Sequence, residues 1–114
     1  MLSQELLEFI STENNILHKK YSQGYSKREE VMARTIKMTE EIGELSSEVL
    51  ANFGNQRKRS NKNKHTSEHL EGEFADVLIT TLLLADTMGI DTNKSLKDKI
   101  TKLKLRYAEE YKTN

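Results

Sequence analysis

The chain has 114 residues with 18 acidic and 18 basic side chains, so a formal net charge of zero gives no global electrostatic case for nucleic-acid or membrane binding. This length fits one domain, residues 1–114, with a modest core. The absence of cysteine excludes a disulfide framework and a thiolate metal site. No signal-like segment opens the sequence and no apolar run is long enough to span a bilayer, so we expect a cytoplasmic protein.

The composition predicts an all-α protein, because there is no proline, there are only five glycines, and no stretch alternates like a strand. Ser3 is positioned to cap a first helix, in which the segment 11–15 is a weak spot where the helix could bend. Gly24 marks a turn after it. Ser26 and Glu29 have the spacing of a capping box, which predicts the start of a second helix.

The second helix has a regular apolar face, whose members alternate spacings of four and three residues: Val31, Thr35, Met38, Ile42, Leu45 and Val49. On its back, Gly43 permits a second close helix approach. Two packing faces on one helix favour a dimer. We therefore expect a four-helix protomer that completes a helical bundle by dimerisation.

A polar, basic connection, residues 54–67, follows and is predicted to be either a mobile loop or a lid that attracts phosphate. Without interleaved aromatic residues it does not indicate a nucleic-acid site. The third helix is apolar nearly all round over residues 74–88, which predicts burial, and Gly89 ends it. Asp91 is positioned to cap a fourth helix. A basic stripe on that helix is either a solvated face or a set of phosphate contacts: Lys99, Lys102 and Arg106.

Two acidic pairs stand out, Glu41 with Glu44 and Glu73 with Asp76, each three residues apart and so on one face of a helix. If the two faces meet, each pair of charges roughly 6 Å apart costs about 2.8 kcal/mol at an effective dielectric near 20. Protons or cations must then lie between them. Carboxylates without cysteine or a Glu-x-x-His motif suit Mg²⁺ first and Mn²⁺ second, and such ions usually act on phosphates.

Residues around the start of the second helix could bind a nucleobase by stacking or hydrogen bonding: Tyr21, Tyr25, Arg28 and His18. Core packing or surface exposure is the alternative interpretation of each. The sequence leaves the preferred base and sugar open.

The acidic motifs resemble those of a known family. The run of residues 40–44, EEIGE, followed by Glu73-Phe-Ala-Asp76, is similar to the EExxE…ExxD signature of MazG-like nucleoside triphosphate pyrophosphohydrolases. The run 77–91, VLITTLLLADTMGID, resembles the third helix of that family and its exit turn. Lys102-Leu103-x-x-Arg106 is similar to its late basic motif, although the family often continues with proline where this chain has Tyr107.

The resemblance implies an α-helical fold that dimerises, with a tetramer as a dimer of dimers a further option, and that hydrolyses a nucleoside triphosphate to the monophosphate and pyrophosphate. It matches four residues to the Mg²⁺ ligands: Glu41, Glu44, Glu73 and Asp76. It matches Lys102 and Arg106 to phosphate-binding positions, and Glu40 to the first glutamate of the motif, although Glu40 points to the back of the helix.

The expected mechanism is in-line attack of water on the α-phosphorus, with Glu41 or Glu44 orienting or deprotonating that water. Specificity like that of a dUTPase or a phosphoribosyl-ATP pyrophosphohydrolase is an alternative within the family. A catalytically silent helical interaction module, whose acidic stripes are solvated faces, is the alternative outside it.

Overall fold

The computed structural model describes residues 1–53 and 67–112, and every regular element in these two segments is a helix. The prediction of an all-α protein with four main helices is confirmed, and one short helix, α5, follows them. The helices are α1 (Gln4–Tyr21), α2 (Lys27–Phe53), α3 (Ser67–Thr87), α4 (Thr92–Arg106) and α5 (Ala108–Lys112). The predicted basic connection, residues 54–67, lies outside the described residues apart from the backbone of Ser67.

The predicted helix starts are confirmed by their hydrogen bonds. The hydroxyl of Ser3 accepts from a backbone N–H in the first turn of α1. Ser26 and Glu29 form the reciprocal capping box: the N–H of Glu29 donates to Ser26 Oγ at 3.1 Å, and the N–H of Ser26 donates to Glu29 Oε1 at 2.8 Å. Asp91 accepts from the N–H of Lys94 and so caps α4.

The end of α3 is a Schellman motif built on Gly89. The N–H of Ile90 donates to the carbonyl of Ala85 at 2.9 Å, and the N–H of Gly89 donates to that of Asp86 at 3.0 Å. Gly89 has a φ of +73°, a left-handed conformation that glycine adopts without a side-chain clash. This turn sends the chain out of α3 and into α4.

Helix α1 runs unbroken through residues 11–15, the segment that the sequence marks as a weak spot. Asn14 is buried at 8% exposure. Its side chain bonds to α3 and to Arg34 of α2, so it does not compete for the backbone of its own helix. Tertiary partners thus stabilise a segment with weak intrinsic helix preference.

Helix α3 packs against both α2 and α1, but only one side of it is covered. The prediction that residues 74–88 are buried all round is wrong for the single chain, since Phe74 is 50% and Leu78 65% exposed. Two apolar side chains of the described residues are fully buried, Ile10 and Leu83. A core this small suits a chain whose remaining apolar surface is covered by another molecule.

The predicted apolar face of α2 is partly covered in the single chain. Val31, Met38, Leu45 and Val49 are half-buried and Thr35 and Ile42 are exposed, whereas the buried side chains of α2 are Arg34, Glu41 and Glu48. These lie one residue earlier in each heptad, about 100° round the helix. The packed side of α2 therefore includes three buried charged side chains, which is unusual for a packing face.

Helix α4 carries exposed apolar side chains and, through its described length, no buried one. Its predicted apolar face, including Leu96, Ile100 and Leu103, is open to solvent in the single chain. The radius of gyration is 17.8 Å, compared with about 13 Å for a compact chain of similar length. Among the described helices, none has the length and apolar content that crossing a membrane requires.

Candidate metal centre

Three carboxylates from two helices meet at one point. Glu41 of α2 and both Glu73 and Asp76 of α3 each offer an oxygen, and the three oxygens lie within 4.8 Å of one another. The two acidic motifs, which are far apart in the sequence, are therefore neighbours in the fold. We call these three residues the carboxylate cluster.

Antiparallel packing of α2 and α3 produces this meeting. Near the end of α2, Glu48 pairs with His69 at the start of α3, whereas Glu41, two turns earlier on α2, meets Asp76 two turns later on α3. The equal seven-residue intervals keep both contacts on the shared face of the two helices.

Burial makes the cluster a strong candidate for a cation. Glu41 is only 7% exposed, and the Oε2 atoms of Glu41 and Glu73 are buried without a hydrogen-bond donor among the described residues. A buried polar atom without a partner costs roughly 1–3 kcal/mol, and more when it is charged. A divalent cation between the carboxylates removes this cost and the repulsion together.

The donor set fits Mg²⁺. All three ligands are carboxylate oxygens, which hard cations prefer. Octahedral Mg²⁺ holds oxygens at about 2.0–2.1 Å, so opposite ligands lie about 4.2 Å apart. Three ligands of one octahedron include at most one opposite pair, so the oxygens of the cluster, which lie within 4.8 Å of one another, would move closer together when an ion binds. Glu41, Glu73 and Asp76 would hold the ion.

The fourth predicted ligand, Glu44, lies beside the cluster and is exposed. The negative charge of Glu41 raises the pKa of Glu44 above its ordinary value, with smaller contributions from partial desolvation and from the charge of Glu73. Glu44 is thus close enough to Glu41 and Glu73 for their charges to raise its pKa, although its own oxygens are not part of the carboxylate cluster. Glu40, on the back of α2, is exposed.

A lysine that the sequence analysis missed lies next to the cluster. Lys37 Nζ is 3.2 Å from Glu41 Oε1. This hydrogen bond, together with the negative charge of Glu41, raises the pKa of Lys37. The side chain is 59% exposed, so it can move toward a bound anion. The sequence feature that could have identified Lys37 is its i, i+4 spacing from Glu41 on α2.

The predicted phosphate-binding residues are elsewhere. Lys99, Lys102 and Arg106 are exposed on α4, and within the described segments they form no ion pair with the carboxylate cluster. Among the described residues, Lys37 is a cation in direct contact with the carboxylate cluster, through Glu41.

A histidine supports the other side of the cluster. His69 Nε2 lies 3.2 Å from Glu48 Oε1 and 3.7 Å from Glu73 Oε1. Glu48 is 7% exposed and shares the buried face of α2 with Glu41. Glu48 and His69 therefore limit the orientations of Glu73, as outer residues do around many metal sites.

A cavity of 390 Å³ opens beside the cluster between α1, α2 and α3. Its size is in the usual range for a small-molecule site. Its lining residues are Glu13, Leu17, Tyr21, Arg34, Lys37, Glu41, Asp76, Ile79, Thr80 and Leu83. The cavity therefore joins the carboxylate cluster to an apolar wall.

Of the predicted base-binding residues, the fold brings Tyr21 to this cavity. Tyr25 and Arg28 are exposed and are not part of its wall. His18 Nδ1 lies 3.1 Å from the carboxylate of Glu30 instead. Arg34, buried in the cavity wall, was missed, although it lies seven residues before Glu41 and so on the same side of α2.

Comparisons with known proteins identify the family and the fold. The family model described as MazG-like matches residues 32–114, which contain every member of the carboxylate cluster. The fold is similar to the crystal structure of the "putative pyrophosphatase YPJD" from Bacillus subtilis, with a TM-score of 0.65 and 22% sequence identity over 90% of this chain and 97% of that one. No curated protein matches the sequence significantly.

Proposed function

The chain belongs to the MazG-like family, and we propose that it is a Mg²⁺-dependent hydrolase that cleaves a nucleoside triphosphate between its α- and β-phosphates. The products are the nucleoside monophosphate and pyrophosphate, a reaction suited to the cleaning of nucleotide pools. The carboxylate cluster beside a cavity of nucleotide size is the observation that supports this proposal. The pyrophosphatase description of the structurally similar protein is consistent with it.

The residues divide the reaction between them. Glu41, Glu73 and Asp76 hold Mg²⁺, with Mn²⁺ as a substitute, and a bound ion supplies Lewis-acid polarisation of the phosphate oxygens. Glu44, outside the cluster but one turn from Glu41, orients or deprotonates a water molecule. Lys37 offers positive charge to the triphosphate.

The reaction needs only water and the nucleoside triphosphate as reactants. The oxygen of water bonds to the α-phosphorus, and the bond between that phosphorus and the α–β bridging oxygen breaks. The proton removed from water passes to the carboxylate of Glu44, and the bridging oxygen leaves as part of pyrophosphate. In-line geometry requires the attacking water and the bridging oxygen to lie on opposite sides of the α-phosphorus.

We also propose a homodimer, since the apolar faces of α3 and α4 lie open in the single chain. Leu78 is 65% and Phe74 50% exposed on α3, and Leu103 is 39% exposed on α4, which is costly for a lone protomer. Formation of a dimer would cover them, and a tetramer would be a dimer of such dimers. In the assembled protein the basic stripe, Lys99, Lys102 and Arg106, would approach the triphosphate.

The test is pyrophosphate release from a panel of canonical and damaged nucleoside triphosphates, with dUTP and phosphoribosyl-ATP included, in the presence of Mg²⁺. We expect turnover of at least one substrate, and a loss of at least about 100-fold in Glu41→Gln and Asp76→Asn, because each removes a ligand of the ion. Glu71→Gln, an exposed residue of α3, is the matched control.

Unchanged turnover in both ligand variants would refute the assignment. A silent helical interaction module would show no turnover and no thermal stabilisation by Mg²⁺ beyond the effect of ionic strength. The panel also separates specificity like that of a dUTPase or a phosphoribosyl-ATP pyrophosphohydrolase from broader action.

A further inference from the structure

Arg34 is a buried cation in the wall of the cavity. The residue is 9% exposed, and its Nη2 atom is buried without a hydrogen-bond acceptor in the described segments. Its nearest anion, Glu30 Oε2, is 3.5 Å from Nη2, which is an ion pair but too long for a good hydrogen bond. Because Arg34 lines the cavity, the N–H donors of its guanidinium that reach the cavity can bind a ligand with acceptor atoms.

The neighbours of Arg34 hold it in place. The side-chain amide nitrogen of Asn14 donates to the carbonyl oxygen of Leu83 at 3.0 Å and to Asp86 Oδ2 at 2.8 Å. Both of these partners are acceptors, so the amide oxygen must face the other way, where it accepts from Arg34 Nε at 3.0 Å. The guanidinium is thereby fixed by α1 before any ligand binds, as a residue that discriminates between ligands needs to be.

The distance from Arg34 to the carboxylate cluster suits one end of a nucleotide. Arg34 precedes Glu41 by seven residues on the same side of α2, a rise of roughly 10 Å. Both line one continuous cavity. A nucleotide with its α-phosphate at the cluster would have room for its base near Arg34, where Leu17, Ile79 and Leu83 also line the cavity.

We propose that Arg34 determines base specificity by donating a hydrogen bond to a ring carbonyl, so that the site prefers 6-oxopurine or 4-oxopyrimidine nucleotides over their amino counterparts. Arginine has N–H donors and no acceptor, so an exocyclic amine of the base would meet it donor to donor. This inference rests on the proposed function, since it assumes that the cavity holds a nucleotide.

The test compares dITP with dATP and dUTP with dCTP. The members of each pair differ in the exocyclic oxo or amino group and, with it, in the adjacent ring nitrogen, which carries a hydrogen in the oxo member and a lone pair in the amino member. We expect kcat/KM to favour the oxo member by roughly 10- to 100-fold in at least one pair, the range for hydrogen bonds to charged groups. The pair that responds identifies the ring size that fits. A ratio near one in both pairs overturns the proposal. Preference for the amino bases also overturns the proposal. The exocyclic amine would then be recognised by an acceptor on the cavity wall, such as Glu13.

Variants then locate the effect. In Arg34→Met the oxo-to-amino ratio of kcat/KM should fall toward one, chiefly through a higher KM for the oxo substrate. A ratio that is unchanged in a folded Arg34→Met protein overturns the role of Arg34. If Arg34→Met fails to fold, Arg34→Lys takes its place in the test. It preserves the charge without the planar fork and should keep only part of the preference; a full preference in this variant overturns the role of the guanidinium.

A binding measurement separates this inference from the proposed function. Calorimetry with dIMP and dAMP, and with dUMP and dCMP, reports the same preference without turnover. If no triphosphate is hydrolysed but the oxo monophosphates bind more tightly, the proposed function fails and the inference stands. If hydrolysis occurs and the monophosphates bind alike, the inference fails and the proposed function stands.

Discussion

The side-chain oxygen of Asn14 accepts a 3.0 Å hydrogen bond from Nε of Arg34, and this contact joins α1 to α2 beside the cavity. The amide nitrogen of Asn14 bonds at the same time to the backbone and to a side chain of α3. One buried amide therefore links three helices. In a protein with so few buried apolar side chains, a polar contact of this kind contributes to both stability and the shape of the site.

We predict that Asn14→Leu lowers the free energy of unfolding by roughly 2–4 kcal/mol. The change removes the acceptor of Arg34 Nε and the donor to the Leu83 carbonyl and to Asp86, and the buried Arg34 Nε left without an acceptor is costly. Urea denaturation followed by circular dichroism measures the difference. Asn15→Leu, at the exposed neighbouring position, is the control and should change stability little. Equal midpoints for the two variants would contradict the role given to Asn14.

The metal-free protein should be stabilised when a cluster carboxylate is neutralised. Asp76→Asn removes one charge from three carboxylates whose oxygens lie within 4.8 Å, so we expect a higher melting temperature without metal. The same variant should lose the additional stabilisation that Mg²⁺ gives the wild type. Differential scanning calorimetry with and without Mg²⁺ measures both effects. If Glu71→Gln gave the same pattern, net charge and not the cluster would be the cause.

Lys37 should affect metal and substrate in opposite directions. In Lys37→Met the site loses a positive charge 3.2 Å from Glu41, so Mg²⁺ should bind more tightly, by roughly 2- to 5-fold. The KM for the triphosphate should rise, because the anion loses a cation near its phosphates. Titration calorimetry and steady-state kinetics measure the two quantities. Lys94→Met, which alters an exposed pair with Asp98, should leave both unchanged. A weaker Mg²⁺ affinity in Lys37→Met would disagree with this role.

Leu103→Asp should lower the mass measured by light scattering toward that of one chain. Leu103 is 39% exposed on α4, a helix without buried residues along its described length, and a charge there opposes burial against a second copy. Thr101→Asp, two residues earlier on the same helix, points to a different side and should have less effect. A wild-type protein that is monomeric at micromolar concentration would remove the basis of this prediction.

The helix boundaries were predictable because their determinants are local. The capping bonds of Ser26 and Glu29 join residues three apart, and the left-handed turn at Gly89 depends on the absence of a side chain. The acidic pairs were predictable for the same reason, since spacing along one helix decides which side chains share a face. Membership of the MazG-like family followed from those pairs and is confirmed by the family model.

The faces of the helices were not predictable in the same way. Apolar periodicity placed Thr35 and Ile42 of α2 toward the core, but the polar residues one position earlier are the buried ones. The apolar run of α3 predicted burial on all sides, but Phe74 and Leu78 are exposed in the single chain. Periodicity finds an apolar stripe without saying whether the same chain or a second copy covers it.

The sequence by itself determined an all-helical chain, its helix ends and the two acidic motifs, because each depends on residues within a few positions of one another. Only the tertiary structure decided that Glu41 meets Glu73 and Asp76 while Glu44 stays outside, and that Arg34 and Lys37 join them around one cavity. The physical reason is that the angle and register at which α3 crosses α2 and α1 arise from many weak contacts between distant residues. No single motif encodes that sum.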